Sequence, residues 1–129
     1  CLMYRSDKYY MKVHIDLEPG VYVFPHTSAS GKTYLAHTLE KYRRYGEPVR
    51  AYSYSDFCDG VSIESVLDSE KYRVVILDRY DLYYGAGAGA IETFAQKSIL
   101  LVDCKQVFDI CRHRTCLLYR TESLLEVSL

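Results

Sequence analysis

The stretch HTSASGKT, residues 26–33, sets a lysine and a hydroxyl behind a bend of small residues. That combination is suited to holding phosphate. Backbone N–H groups of such a bend curl around an anion, and a following helix turns its positive N-terminal end toward it. The lysine then reaches the terminal phosphates, and the hydroxyl holds Mg2+. Gly31, Lys32 and Thr33 match the end of the pattern G-x-x-x-x-G-K-[ST], while Thr27, Ser28, Ala29 and Ser30 fill the bend and Tyr34 continues into the helix. The first glycine of the pattern is replaced by His26. Histidine tolerates unusual φ better than most side chains, so the expectation is a loop of altered shape that still binds. The plain alternative is a strand-turn-helix junction with Gly31 at the turn and a solvated Lys32.

A second element of the same chemistry lies downstream. VVILD, residues 74–78, is four apolar residues closed by Asp78. Ligands of open α/β sheets sit beyond the carboxyl ends of the strands, so Asp78 and the phosphate loop are expected to share one crevice. A carboxylate there can hold Mg2+ through water, as octahedral Mg2+ prefers. Thr33 and Asp78 are therefore the expected metal pair, and residues 26–34 the expected nucleotide-binding stretch. Asp56, Asp81 and Asp103 each fall near a predicted strand end and are candidate acids.

The elements that must position these groups alternate. KVHIDL (12–17) reads as a half-buried strand, EPG (18–20) as a turn, and VYVF (21–24) as a buried strand. TYLAHTLEKYRRY (33–45) places Leu35, Leu39 and Tyr42 on one helical face, with Glu40 and Arg44 as an i,i+4 pair on the wet side. Strands follow at 49–55, 73–78 and 98–103, helices at 62–70, 90–97 and 106–113, with Ser62 a candidate N-cap. CLLYR and LLEVSL suggest two final strands around TES. Continuous apolar strands separated by helices predict a mostly parallel α/β sheet in three layers, covered by helices on both faces, with the first and last hairpins as antiparallel edges.

Bulk composition sets the frame. The 129 residues suit one domain, with 49% hydrophobic and 26% charged residues and a net charge of −1. That charge gives no global field for nucleic acid or an anionic membrane. No apolar run reaches the length of a membrane span. Residues 1–10 lack the apolar core of a secretion signal and are read as an extension of uncertain status before a domain at 11–129, with Met11 a sensible start. Five cysteines suggest a reduced, cytoplasmic chain. Cys104, Cys111, His113 and Cys116 fit no standard zinc spacing and read as small hydrophobes beside a surface histidine.

On HTSASGKT as a degenerate Walker A and VVILD as a Walker B, the chain resembles the P-loop NTPase superfamily. MKVHIDLEPGVYVFPHTSASGKTYLAHTL is similar to the start of ABC-type ATPase domains, and the resemblance covers residues 11–103. It implies ATP with Mg2+, a core strand order of 5-1-4-3-2, Lys32, Asp78 and Asp103 as catalytic groups, and Asp103 in the place of a polar sensor. The resembling ATPases commonly carry glutamate after the Walker B aspartate; here Arg79 stands there, a cation expected to pair with Asp78. The ABC signature loop and the base reader of GTPases are absent. The resemblance thus points to an ATP·Mg2+-binding domain with slow hydrolysis, alone or as an oligomer or with a partner chain that supplies the missing acid. A small-molecule or nucleoside kinase, with Arg112 and Arg114 as a lid, is one alternative. A non-hydrolysing nucleotide sensor or interaction module is the other. Tyr80, Tyr83 and Tyr84 read chiefly as core-edge packing, and GAGAGA (85–90) as a mobile segment.

Overall fold

The computed structural model describes residues 2–4, 12–24, 32–44, 46, 48–83, 85, 87–103, 113–120 and 124–128. In chain order the elements are β1 (Leu2–Tyr4), β2 (Lys12–Asp16), β3 (Gly20–Val23), α1 (Lys32–Arg44), β4 (Val49–Tyr52), α2 (Tyr54–Cys58) and α3 (Ile63–Val66). Then come β5 (Val74–Leu77), a 3-10 turn (Tyr80–Tyr83), α4 (Ala88–Ala95), β6 (Ile99–Val102), β7 (Arg114–Thr115), β8 (Leu117–Arg120) and β9 (Leu124–Ser128).

The central sheet is five-stranded and wholly parallel, ordered β4-β5-β6-β3-β7. Numbered within the sheet, β3 to β7 become strands 1 to 5, and the order reads 5-1-4-3-2. Its two faces are separated by strand parity. Val74, Ile76, Ile99, Leu101, Val49 and Tyr22 enter one core with Leu39 and Tyr42 of α1. Val75, Leu77, Leu100, Val102, Tyr52 and Val21 enter another with Ile63, Val66, Ile91, Phe94 and the 3-10 turn. Covered on both faces, β5 and β6 are fully buried, which explains why they read as unbroken apolar runs.

Of the two edge hairpins expected from the sequence, the last forms, with β8 antiparallel to β9, but it joins a second sheet rather than an edge of the central one. The first does not form. KVHID does not pair with β3. A separate four-stranded sheet, ordered β1-β2-β9-β8, gathers both chain ends, with β2 parallel to β9 and antiparallel to β1. Ile15, Leu17 and Val127 carry it into the core shared with α1. That outer layer is therefore part helix and part sheet, and Leu2–Tyr4 belongs to it.

Other boundaries shift for local reasons. The strand expected over 49–55 stops at Tyr52, because Ser53 and Asp56 form a capping box that starts α2. The helix expected over 62–70 is one turn, with Ser62 Oγ accepting from Ser65 N at 3.2 Å. Glu40 pairs with Arg43 at 2.9 Å rather than with Arg44, and its Oε1 accepts from Ala51 N at 2.7 Å, occupying an edge donor of β4. Half of GAGAGA is helical: Ala88, Gly89 and Ala90 open α4. The helix expected at 106–113 lies outside the described residues except for His113. No helix among the described residues is long and apolar enough to cross a membrane.

Candidate functional site

Parallel register brings the carboxyl ends of four strands level. Tyr52, Leu77, Val102 and Val23 are aligned across β4, β5, β6 and β3. The next residues extend the ladder: Asp78 N donates to Tyr52 O at 2.8 Å, Asp103 N to Leu77 O at 2.9 Å, and Phe24 N to Val102 O at 3.0 Å. Asp78 and Asp103 thus stand side by side, with Asp103 only 4% exposed. Beyond Phe24 the chain runs through His26, Thr27, Ser28, Ala29, Ser30 and Gly31, which lie outside the described residues, and re-enters as α1 at Lys32. Lys32, Thr33 and Tyr34 are described as backbone of the first turn of α1, not as side chains.

The Asp103 carboxyl lies close enough to Asp78 to disfavour its ionisation. Burial first, then the charge and hydrogen bond of Asp103, push the Asp78 carboxyl above its ordinary pKa, while Arg79 and His37 pull it down. Asp78 Oδ1 is buried with no hydrogen-bond partner among the described residues. A buried carboxylate oxygen without a hydrogen bond is costly, and a cation or donor ligand relieves that cost.

Arg79 does not pair with Asp78 as its position suggested. It adopts φ 52°, turns the chain, and clamps Asp81 through two bonds, Nε to Oδ1 at 3.2 Å and Nη2 to Oδ2 at 3.0 Å. Asp81 is thereby committed to the turn, and reversing the charge at 79 would break that clamp. The turn returns Tyr83 beneath Asp78. Its hydroxyl lies 2.8 Å from Asp78 O and 3.2 Å from Tyr52 O.

An open cleft of about 430 Å3 borders Asp78 and is lined by His37, Glu40, Ala51, Ser53, Ser55 and Asp56. Asp56 reaches this cleft, though its Oδ2 is held by Ser53 N at 3.1 Å. His37 was missed from sequence, although it falls one helical turn after Thr33. The Ser53-x-x-Asp56 spacing was the available signal for α2. Tyr83 gave no such signal, because its place depends on the positive φ of Arg79.

Several other expectations resolve plainly. Tyr80 and Tyr83 are buried, as packing predicts, while Tyr84 lies outside the described residues. Arg114 is not in a lid: it lies in β7 and lines a different cleft with Glu18 and Tyr22, toward the amino-terminal end of β3. Arg112 lies outside the described residues. So do Cys104 and Cys111, while Cys116 is buried, its thiol pushed up to about 12 by burial.

For Mg2+, no three ligating side chains converge among the described residues. Mg2+ bound with a nucleotide commonly takes one or two carboxylates and completes its shell with water and phosphate oxygens. Asp78, with its buried unsatisfied oxygen, fits that role. Comparisons with protein-family models, with curated proteins and with solved structures found no significant match to the chain.

Proposed function

We propose that the chain is a P-loop nucleotide-binding domain that takes ATP with Mg2+ and hydrolyses it slowly. The carrying observation is the parallel order 5-1-4-3-2, with Asp78 and Asp103 at neighbouring strand ends beside the strand that leads into GKT. On this reading the loop backbone and Lys32 bind the phosphates at the helix N-terminus. Thr33 and Asp78 would hold Mg2+, which when bound supplies neutralisation of charge on the phosphates. Asp103, buried at the end of the neighbouring strand, would stand beside the metal-holding carboxylate as a second acceptor for water or a phosphate-bound ligand.

The slow rate has a local cause. Arg79 has only donors and Asp81 is clamped to it, so neither accepts a proton from the attacking water. Loss of a positioned general base commonly costs roughly 10²–10⁴-fold in rate. The direct experiment is ATP binding to the parent chain and to Lys32→Ala. A loss of about tenfold or more is expected from a charge-assisted bond to phosphate, and equal binding would refute the reading.

A second reading, a small-molecule kinase, is favoured by the cleft beside Asp78, whose volume of about 430 Å3 suits a small polar acceptor. Phosphate release without any added acceptor supports the ATPase. ADP formation that depends on a hydroxylated acceptor supports the kinase.

A further inference from the structure

Tyr83 was in no expected site, yet three features of its surroundings converge on Asp78. Its hydroxyl lies 2.8 Å from the Asp78 carbonyl and 3.2 Å from the Tyr52 carbonyl, so one proton is shared between the ends of β5 and β4. Its ring is fixed from three sides: edge-on to Tyr52 and to Tyr80, each with centroids 5.3 Å apart, and stacked at 17° on Phe57 of α2, 5.8 Å away. The chain reaches it by the turn that Arg79 makes at φ 52° and that the Arg79–Asp81 clamp closes.

We infer that Tyr83 is a positioning residue for Asp78, and that α2 holds it in place. The hydroxyl fixes the peptide that follows Asp78, and with it the direction in which the carboxylate leaves the strand. α2 reaches the ring through Phe57: it buries no residue of its own, and its Ser55 and Asp56 line the cleft. The consequence is a mechanical link. A cleft occupant that shifts α2 shifts the stack on Tyr83, and so the acid that faces the metal. The part of this inference that concerns Mg2+ rests on the proposed ATP reading; the part that concerns Asp78 itself does not.

The test uses the whole chain, with Tyr83→Phe keeping the ring and removing the hydroxyl. Tyr22→Phe is the control, because Tyr22 Oη makes an equivalent bond to Glu18 O at 2.7 Å, beside the other cleft. Without nucleotide, amide hydrogen exchange at Asp78 is expected to speed up about tenfold in Tyr83→Phe and to stay at the parent rate in Tyr22→Phe, as loss of one local bond implies. With ATP, Tyr83→Phe is expected to bind about three- to tenfold more weakly in Mg2+ and equally well in chelator. Phe57→Leu, a change at a half-exposed ring, carries both measurements if Tyr83→Phe does not fold. Parent-like exchange at Asp78, or equal loss with and without Mg2+, overturns the inference. A parent chain that binds no ATP would sink the proposed function, and exchange at Asp78 would still decide the role of Tyr83.

Discussion

The two ends of the central sheet follow different rules. At the amino-terminal end polar groups find partners: Gly20 N donates to Ser98 O at 3.1 Å, Arg73 N to Pro48 O at 2.7 Å, and Ser98 Oγ to Tyr72 O at 3.0 Å. At the carboxyl end acid lies against acid, Asp78 Oδ1 is buried without a hydrogen bond, and Arg79 holds a positive φ. Both ends carry clefts, about 350 and 430 Å3, so volume does not tell them apart. Chemistry does. On the proposed reading, the buried Asp78 carboxylate and the strained Arg79 mark the end of the sheet that would serve a ligand.

The sharpest way to break that contrast is Asp78→Asn, which should move binding and stability in opposite directions. ATP affinity in Mg2+ is expected to fall by about tenfold to a hundredfold, with a much smaller loss in chelator, as for a charge-assisted contact. Equal losses would point to folding instead. Unliganded stability should rise. A raised folded pKa means the acid contributes fully below its ordinary value of 3.8 and loses that contribution as pH climbs through the folded value. The variant should therefore melt above the parent at pH 7, and this advantage should vanish in acid. Thermal melts across pH check it; a variant that melts lower at pH 7 would contradict the picture of a strained acid.

Gly87→Ala sharpens the comparison differently, by showing strain that serves packing alone. Gly87 sits at φ 68°, and an added Cβ would come within 2.5 Å of Ile63 Cγ2, a buried side chain. The expected cost is about 1–3 kcal/mol of stability, with ATP affinity per folded molecule unchanged. Chemical denaturation measures it. The smallest effect belongs to Tyr22→Phe, at about 1 kcal/mol of stability and no change in binding, since its bond lies at the satisfied end.

What could be read in the sequence follows from how local its causes are. β5 and β6 were legible because burial on both faces forces unbroken apolar runs, and α1 because Leu39 and Tyr42 fall on one helical stripe. Asp78 was legible as the acid that ends such a run. The second sheet was not, since β2 finds its partner in β9, more than a hundred residues later, and nothing in KVHID specifies that pairing. α2 was misread because AYSYS alternates like a strand, and only the cap at Ser53 argues otherwise. The Asp81 clamp and the placement of Tyr83 both depend on one backbone angle at Arg79, an arginine that no propensity assigns to the left-handed region.

The central claim, that the carboxyl end of this sheet is an ATP·Mg2+ site, is tested most directly by thermal melting of the parent chain with ATP, with ATP and Mg2+, and with GTP and Mg2+. A ligand that binds only the folded state raises stability by RT ln(1 + [L]/Kd), about 2.7 kcal/mol at a hundredfold excess over Kd. The account predicts a clear rise with ATP and Mg2+, a smaller one with ATP in chelator, and loss of the difference in Asp78→Asn. A melting temperature that no nucleotide moves, at millimolar concentration and with Mg2+ present, would contradict it.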